Sequence, residues 1–269
     1  MKKYSVSKII TIGLAVFILL FCTFGFMLAP NDPEKMDVLA RLAPRSDLYP
    51  FGTDAMGRCV LSRVLYGGQT SLFVVLLTSS VVLLIGIPIG MIMGTMKSGM
   101  LTSVFESILN AVTSMPPIAY LIVFIGTWGN SIFTMTIALT LSLVLRVIKL
   151  VKAQTEQEWG KAYVLCAISS GASDLRLLIY HILPNIIKES LIFLSLSCAD
   201  MIVMITSFSF IGLTMGDNTI DWGSMIEEGQ AVRMRRPDLI IYPMIFAFFA
   251  TFAFNSLADK LTGGEAEND

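Results

Sequence analysis

The sequence predicts an all-α polytopic membrane protein with six transmembrane helices. Two observations carry that expectation. First, 55% of the 269 residues are hydrophobic and only 14% are charged, with a strongly positive mean hydropathy, a composition that cannot close one soluble core without leaving a greasy exterior. Second, six apolar runs approach the roughly 20 residues a helix needs to cross the hydrocarbon of a bilayer. Membrane lipid is therefore the expected surrounding. A formal net charge of −1 with no clustered Lys/Arg face argues against a nucleic-acid partner.

The first run, Ile9–Ala29, follows MKKYSVSK. It is longer than a secretion-signal core and ends in a poor cleavage site, Leu28-Ala29-Pro30, so residues 1–30 read as an anchor helix. Residues 31–68 read as an extracytoplasmic segment, and residues 69–261 as a core of five further spans. The second run, Ser71–Met96, repeats small residues at Gly86, Gly90 and Gly94, a spacing that favours close helix packing over a permeation role; Pro88 adds a kink. The third, Leu101–Ile125, contains Met115-Pro116-Pro117, which should break or kink it into two half-helices. Glu106 in this run reads as lying near the cytoplasmic end. The fourth run is Ser131–Val151, the fifth Ser190–Gly212 and the sixth Leu239–Leu257, followed by a tail, 262–269. Asp200 in the fifth run costs about 2.5–3.5 kcal/mol at a helix centre on insertion scales, so it must face protein or water. Lining a pathway and bonding to a neighbouring span are both open to it.

Orientation follows from Lys2, Lys3 and Lys8 before the first span, Lys97 after the second, and Arg146, Lys149 and Lys152 at the end of the fourth. With six crossings all of these fall on one side, which the positive-inside rule makes the cytoplasm. Both termini and the loop 152–188 are then cytoplasmic. Arg58, Arg63, Arg233, Arg235 and Arg236 run against the rule.

The long cytoplasmic loop contains KAYVLCAISSGASDLRLLIYHILPN at 161–185. Lys161–Ser169 has helical character, Gly171 permits the positive φ that ends a helix, and Ser173-Asp174 can cap a second helix running to His181. Pro184 is expected to stop that helix before the fifth span. Tyr163, Ala167 and Leu175 would face a partner groove. The residues alone leave open whether this is a docking element or an amphipathic loop lying on the lipid surface.

Here the sequence resembles a known family. Tyr163-Val164-Leu165-Cys166-Ala167, Gly171-Ala172-Ser173-Asp174 and His181-Ile182-Leu183-Pro184-Asn185 resemble the EAA loop of ATP-binding-cassette (ABC) importer permeases. Phe51-Gly52-Thr53-Asp54-Ala55-Met56-Gly57-Arg58, continuing through Ser62-Arg63 to Gly67-Gly68 and Ser71-Leu72, resembles the stretch before the second span in dipeptide, oligopeptide and nickel permeases, in the shorter of two sister subunits. Phe210-Ile211-Gly212-Leu213 with Asp221-Trp222-Gly223-Ser224 through Gly229 is a third match. Leu165 stands where the family has an acidic residue, Cys59 where it has Asp, and Asn218-Thr219-Ile220 where it has prolines, marking a divergent branch in which the Gly171 turn and the loop's shape are the safer carry-over.

The resemblance implies a type I importer permease fold with a cytoplasmic coupling helix, in a bacterial cytoplasmic membrane. It implies four kinds of partner: a sister permease in a heterodimer, two cytosolic ATP-binding subunits, and an extracytoplasmic solute-binding protein meeting the 30–68 and 214–238 segments. Coupling to the ATPases would fall on Tyr163, Ala167, Gly171, Ala172, Ser173, Asp174, His181 and Pro184. The outer motif is Gly52, Thr53, Asp54, Gly57, Arg58, Ser62 and Arg63, and Asp200 is the candidate pathway residue.

No catalytic site is expected. The chain has no GxxxxGK[ST] phosphate cradle, so no cofactor is expected on it and ATP is used by the partner subunits. HExxH is absent, and the single histidine, His181, has no ligand-spaced neighbours, which favours loop hydrogen bonding over a metal site. Four scattered cysteines and sixteen methionines read as apolar filler. No second copy of the Pro116-Pro117 break is found, against an ion-driven secondary transporter. The compact N-terminus tilts the cargo expectation to nickel or another metal, free or chelated, with a di- or oligopeptide as the alternative.

Overall fold

A computed structural model describes residues 6–96, 99–216 and 218–262. Lys2, Lys3 and Lys97, and the tail from residue 263, lie outside the described residues. The described chain is all-helical apart from one isolated bridge between Thr53 and Cys59. Its helices are α1 (Val6–Phe24), α2 (Val60–Thr95), α3 (Met100–Thr113), α4 (Pro117–Trp128), α5 (Ile132–Trp159), α6 (Ala162–Ser169), α7 (Asp174–Phe210), α8 (Trp222–Gln230) and α9 (Asp238–Thr262). Five of them are long and apolar enough to cross a membrane, six spans in all if the bent pair α3 and α4 counts as one.

The proline pair acts as its chemistry dictates. α3 and α4 meet at 82°, with Pro117 at the first position of α4, where its missing N–H costs nothing. The Tyr120 hydroxyl reaches back across the break and donates to the Val112 carbonyl.

α2 starts at Val60, not at Ser71 as the hydropathy suggests. Gly67 and Gly68 do not interrupt it, because another chain segment occupies the space their side chains would fill. A Cβ on Gly68 would lie 2.7 Å from the Cys22 carbonyl oxygen and 3.0 Å from the Trp222 ring. Residues 60–68 of the expected extracytoplasmic segment are therefore the first turns of a spanning helix.

The core forms where α2 lies along α5. Cβ atoms on Gly86, Gly90 and Gly94 would stand 2.9, 2.7 and 2.5 Å from side-chain atoms of Val147, Val151 and Thr155 respectively. The small-residue stripe is thus a packing device, the reading its spacing favours. Ser79 of α2 meets Cys198 of α7 at 3.1 Å, and the Ser195 hydroxyl of α7 donates to the Phe254 carbonyl of α9 at 2.8 Å.

Pro184 does not stop the helix before the fifth span. α7 runs unbroken from Asp174 to Phe210 because Leu177–Ile182 opens into a π turn. The Leu183 N–H bonds back to the Leu178 carbonyl, one residue further than in an α-helix. That widening absorbs the donor Pro184 lacks. The Asn185 side-chain amide donates to the His181 carbonyl at 2.7 Å, so the Leu-Pro-Asn signature is a negotiated passage through a helix rather than its end.

Candidate coupling loop and outer ion cluster

The coupling loop is α6, the turn at Gly171 and the first turns of α7. Its inner side is anchored by Val164, Leu177 and Ile182, all 0% exposed. α6 ends in a Schellman arrangement. The Gly171 N–H bonds the Ile168 carbonyl at 2.9 Å and the Ala172 N–H bonds the Ala167 carbonyl at 3.1 Å. Gly171 sits at φ +82°, a left-handed conformation that glycine adopts without Cβ strain.

Ser173 occupies the N-cap position of α7, but its side chain does not make the expected capping bond; its carbonyl accepts the first helical bond, from the Leu177 N–H at 2.9 Å. Asp174 in the first turn complements the helix dipole.

Tyr163 buckles the loop to the end of α5. Its hydroxyl donates to Glu158 Oε2 at 2.6 Å and accepts from the Asn185 side-chain amide at 3.0 Å. Burial, reinforced by the Glu158 carboxylate, raises its pKa above the ordinary tyrosine value, so it remains a donor at neutral pH. Ala167 and Ala172 are half-buried behind it. His181 joins this network through its backbone carbonyl, not through the imidazole expected to do so. The opposite side of the loop is largely apolar and uncovered among the described residues: Leu165 is 55% exposed, Leu175 67% and Tyr180 72%. Leu165, standing where the family places an acid, belongs to that face.

The second site gathers the other two sequence motifs. Gly52 and Gly57 take φ +75° and +79°, and a Cβ on Gly57 would fall 1.8 Å from the Asp37 carbonyl oxygen. Thr53, 0% exposed, accepts the Ala43 N–H at 2.8 Å and donates to the Ala40 carbonyl. These turns aim Asp54, which accepts the N–H groups of Met56 and Arg58 at 2.8 and 2.9 Å and the guanidinium groups of Arg58 and Arg63, both at 2.7 Å. Burial alone would raise the Asp54 pKa; Arg63 and Arg58 outweigh it and hold the carboxyl below the ordinary aspartate range. Ser62, fully buried, accepts the Asn31 N–H at 3.1 Å.

Both arginines also bind Glu228 of α8, Arg58 at 2.6 Å and Arg63 through two nitrogens. α8 is itself well made: Asp221 caps it by accepting the N–H groups of Gly223 and Ser224, and burial pushes the Asp221 carboxyl up. Trp222, 0% exposed, donates its indole N–H to the Val64 carbonyl at 3.0 Å. The motifs around residues 52–68 and 221–229 thus form one clamp. Cys59, in place of the family's acid, is buried at the N-cap of α2 without a capping bond.

Sequence reasoning gave Glu228 and Arg236 no site role. Arg236 donates to the carbonyls of Leu42, Ala43 and Phe51 and pairs with Asp238 at 2.7 Å. The advance signals were the motif match at 221–229, which contains Glu228, and five arginines that defied the charge asymmetry of the other loops; three of those five, Arg58, Arg63 and Arg236, are structural grips. Glu106, in contrast, pairs with Lys152 at 2.5 Å, among the cationic residues at the loop side of α5. Asp200 joins neither site. It is exposed on α7 and reaches no hydrogen-bond partner among the described residues, so bonding to a neighbouring span of the same chain is not its role.

Comparison with known proteins matches residues 86–263 to the family model described as binding-protein-dependent transport system inner membrane component. The chain is similar to the probable D,D-dipeptide transport system permease protein DdpC of Escherichia coli K12, at 28% identity over 97% of this chain and 87% of that one. It is also similar to the oligopeptide transport system permease protein OppC of Haemophilus influenzae, at 30% identity over 97% and 83% respectively. The glutathione transport system permease protein GsiD of Pectobacterium atrosepticum is 27% identical over 94% and 85%. Among solved structures, a chain of the MetNI methionine ABC transporter in an inward-facing conformation superposes with a TM-score of 0.56, at 13% identity, over 74% of this chain and 96% of that one; that likeness shows the fold, a type I importer permease.

Proposed function

The chain belongs to the family of binding-protein-dependent transport system inner membrane components, the permease subunits of ABC importers, and from that premise we propose that its cargo is a peptide or peptide-like molecule. As a multi-pass inner-membrane permease it works with separate ATP-binding subunits and a substrate-binding protein. The observation that carries the peptide reading is the shared subject of the relatives. Permeases named for D,D-dipeptides, oligopeptides and glutathione align over 94–97% of this chain. These relatives favour a peptide over the nickel or other metal that the sequence suggests.

In this reading the apolar face of the coupling loop around Leu165 and Leu175 docks in a groove of an ATP-binding subunit, on the cytoplasmic side with both termini. Closure on ATP pushes the loop. Because Tyr163 fastens the loop to the end of α5 and α7 is continuous through Pro184, the push is delivered to two spans at once. ATP shifts the conformational equilibrium only through contacts that differ between the inward- and outward-facing states, and these two fastenings keep such contacts from being lost in a slack tether. A sister permease completes the conduit, and Asp200, unpartnered among the described residues, lines the pathway between the two. The segments that the outer clamp fastens together, 30–68 and 214–238, are the surface offered to the binding protein.

Uptake by a deletion strain complemented with this gene tests the cargo directly. Labelled di- and oligopeptides should accumulate and labelled nickel should not; rescue by nickel or a metal chelate with no peptide uptake would reject the peptide reading.

A further inference from the structure

On the outer surface of the bundle α1, α2, α7 and α9 leave an open groove of about 420 Å³. Leu76, Leu83, Leu191, Leu194 and Leu257 form its walls. The hydroxyls that line it are already spent: Ser79 donates to the Val75 carbonyl at 2.7 Å, Ser80 to Leu76 at 2.8 Å and Ser195 to Phe254 at 2.8 Å. A ligand there meets mostly hydrocarbon and walls whose hydroxyl protons are already committed, which suits an apolar body.

One end differs. Lys260, half-buried near the end of α9, lines the groove, and it has no ion-pair partner among the described residues. Among the described residues no carboxylate lines the groove; Asp259, next to Lys260 in sequence, is exposed and is not part of the lining. The charge calls for an anion at this end alone.

The length fits a particular occupant. α9 runs antiparallel to α7, with Phe254 beside Ser195, so Lys260 lies about 9 Å from that level towards the coupling-loop side and Cys198 about 4–5 Å the other way. The groove therefore spans about 14 Å, close to half of the roughly 30 Å hydrocarbon core, with the cation at the leaflet surface.

We propose that this groove holds an acyl chain of an anionic phospholipid from the leaflet on the coupling-loop side, with the lipid phosphate on Lys260 Nζ. The site is independent of the transported cargo. It would hold α1, which supplies Ile12 to the lining, against the core through a bound lipid.

Native mass spectrometry of the purified transporter complex, equilibrated with equal amounts of phosphatidylglycerol and phosphatidylcholine of identical chains, tests this. The wild-type complex should retain phosphatidylglycerol several-fold over phosphatidylcholine. Lys260→Glu should bring the ratio to about one, Lys260→Arg should preserve it, and Ser80→Trp, placed at an exposed position, should reduce retention of both lipids. No preference in the wild type, a preference that survives Lys260→Glu, or retention unchanged by Ser80→Trp because a subunit already covers the groove would each overturn the proposal.

Discussion

Arg63 holds Glu228 with both terminal nitrogens, Nη2 reaching Oε1 at 2.9 Å while Nη1 bonds Oε2 and also Asp54 at 2.7 Å. One side chain at the start of α2 thereby fastens α8 and the loop before α2 to the same point. The Arg63 side chain is 4% exposed and that of Glu228 37%, and this asymmetry fixes how unequal their removal must be. Arg63→Met leaves the buried Asp54 and the edge carboxylate Glu228 to share Arg58 alone and should cost up to about 3–5 kcal/mol. Glu228→Gln, at the wet edge, should cost about 1 kcal/mol or less. Thermal unfolding of the two variants in detergent measures the difference, and equal losses would contradict the arrangement.

The same cluster sets a pH dependence. Because the Asp54 carboxyl is held below its ordinary value of 3.8, its contribution is complete above that value and is lost as pH falls through the lower folded value. Asp54→Asn should be less stable than wild type at neutral pH and show a shallower loss on acidification. Asp221 has the opposite sign: burial raises its folded value, so its charged form opposes folding increasingly as pH rises through that range. Asp221→Asn keeps a good cap and should raise neutral-pH stability. Melting temperatures between pH 3 and pH 7 check both signs.

Close approach of α2 and α5 makes a steric prediction. Gly90→Leu places a side chain where Val151 and the Ile148 carbonyl already lie, 2.7 and 2.9 Å from the first added carbon, and should cost about 1–3 kcal/mol or prevent assembly. Gly126→Ala on α4 meets nothing within 4 Å and should be neutral or slightly stabilising in a helix. Expression level and unfolding temperature separate the two.

At the coupling loop, Leu165→Arg and Leu175→Arg alter exposed side chains and should leave the unfolding temperature unchanged while abolishing co-purification of the ATP-binding subunits. Gly171→Ala should cost about 1–2 kcal/mol through left-handed strain and lower transport per ATP hydrolysed. Retained co-purification in the arginine variants would remove this face from the docking surface.

Much of this was legible in the chain. Composition and run length gave the helical membrane fold, the Pro116-Pro117 pair marked the bend, and the glycine stripe at 86, 90 and 94 announced its own packing. Hydropathy failed where helices outlast their apolar stretch. α2 begins at Val60 among polar and glycine residues because Trp222 and Cys22 pack there, a tertiary contact no local window contains. Pro184 misled because a π turn, invisible to propensity, lets a helix pass it. The ion cluster was half visible: Asp54, Arg58 and Arg63 lie within one motif, but Glu228 arrives from far along the chain, and only folding brings it there.

Reconstitution supplies the most direct test of the central claim, that a motor outside this chain drives peptide through it by pushing the loop at Gly171. Proteoliposomes containing the permease pair, both ATP-binding subunits and the binding protein should accumulate labelled peptide only when ATP is supplied on the coupling-loop side, and should lose that uptake with Leu165→Arg/Leu175→Arg. Peptide uptake by the permease without ATP-binding subunits, driven by an ion gradient and indifferent to the loop substitutions, would contradict it.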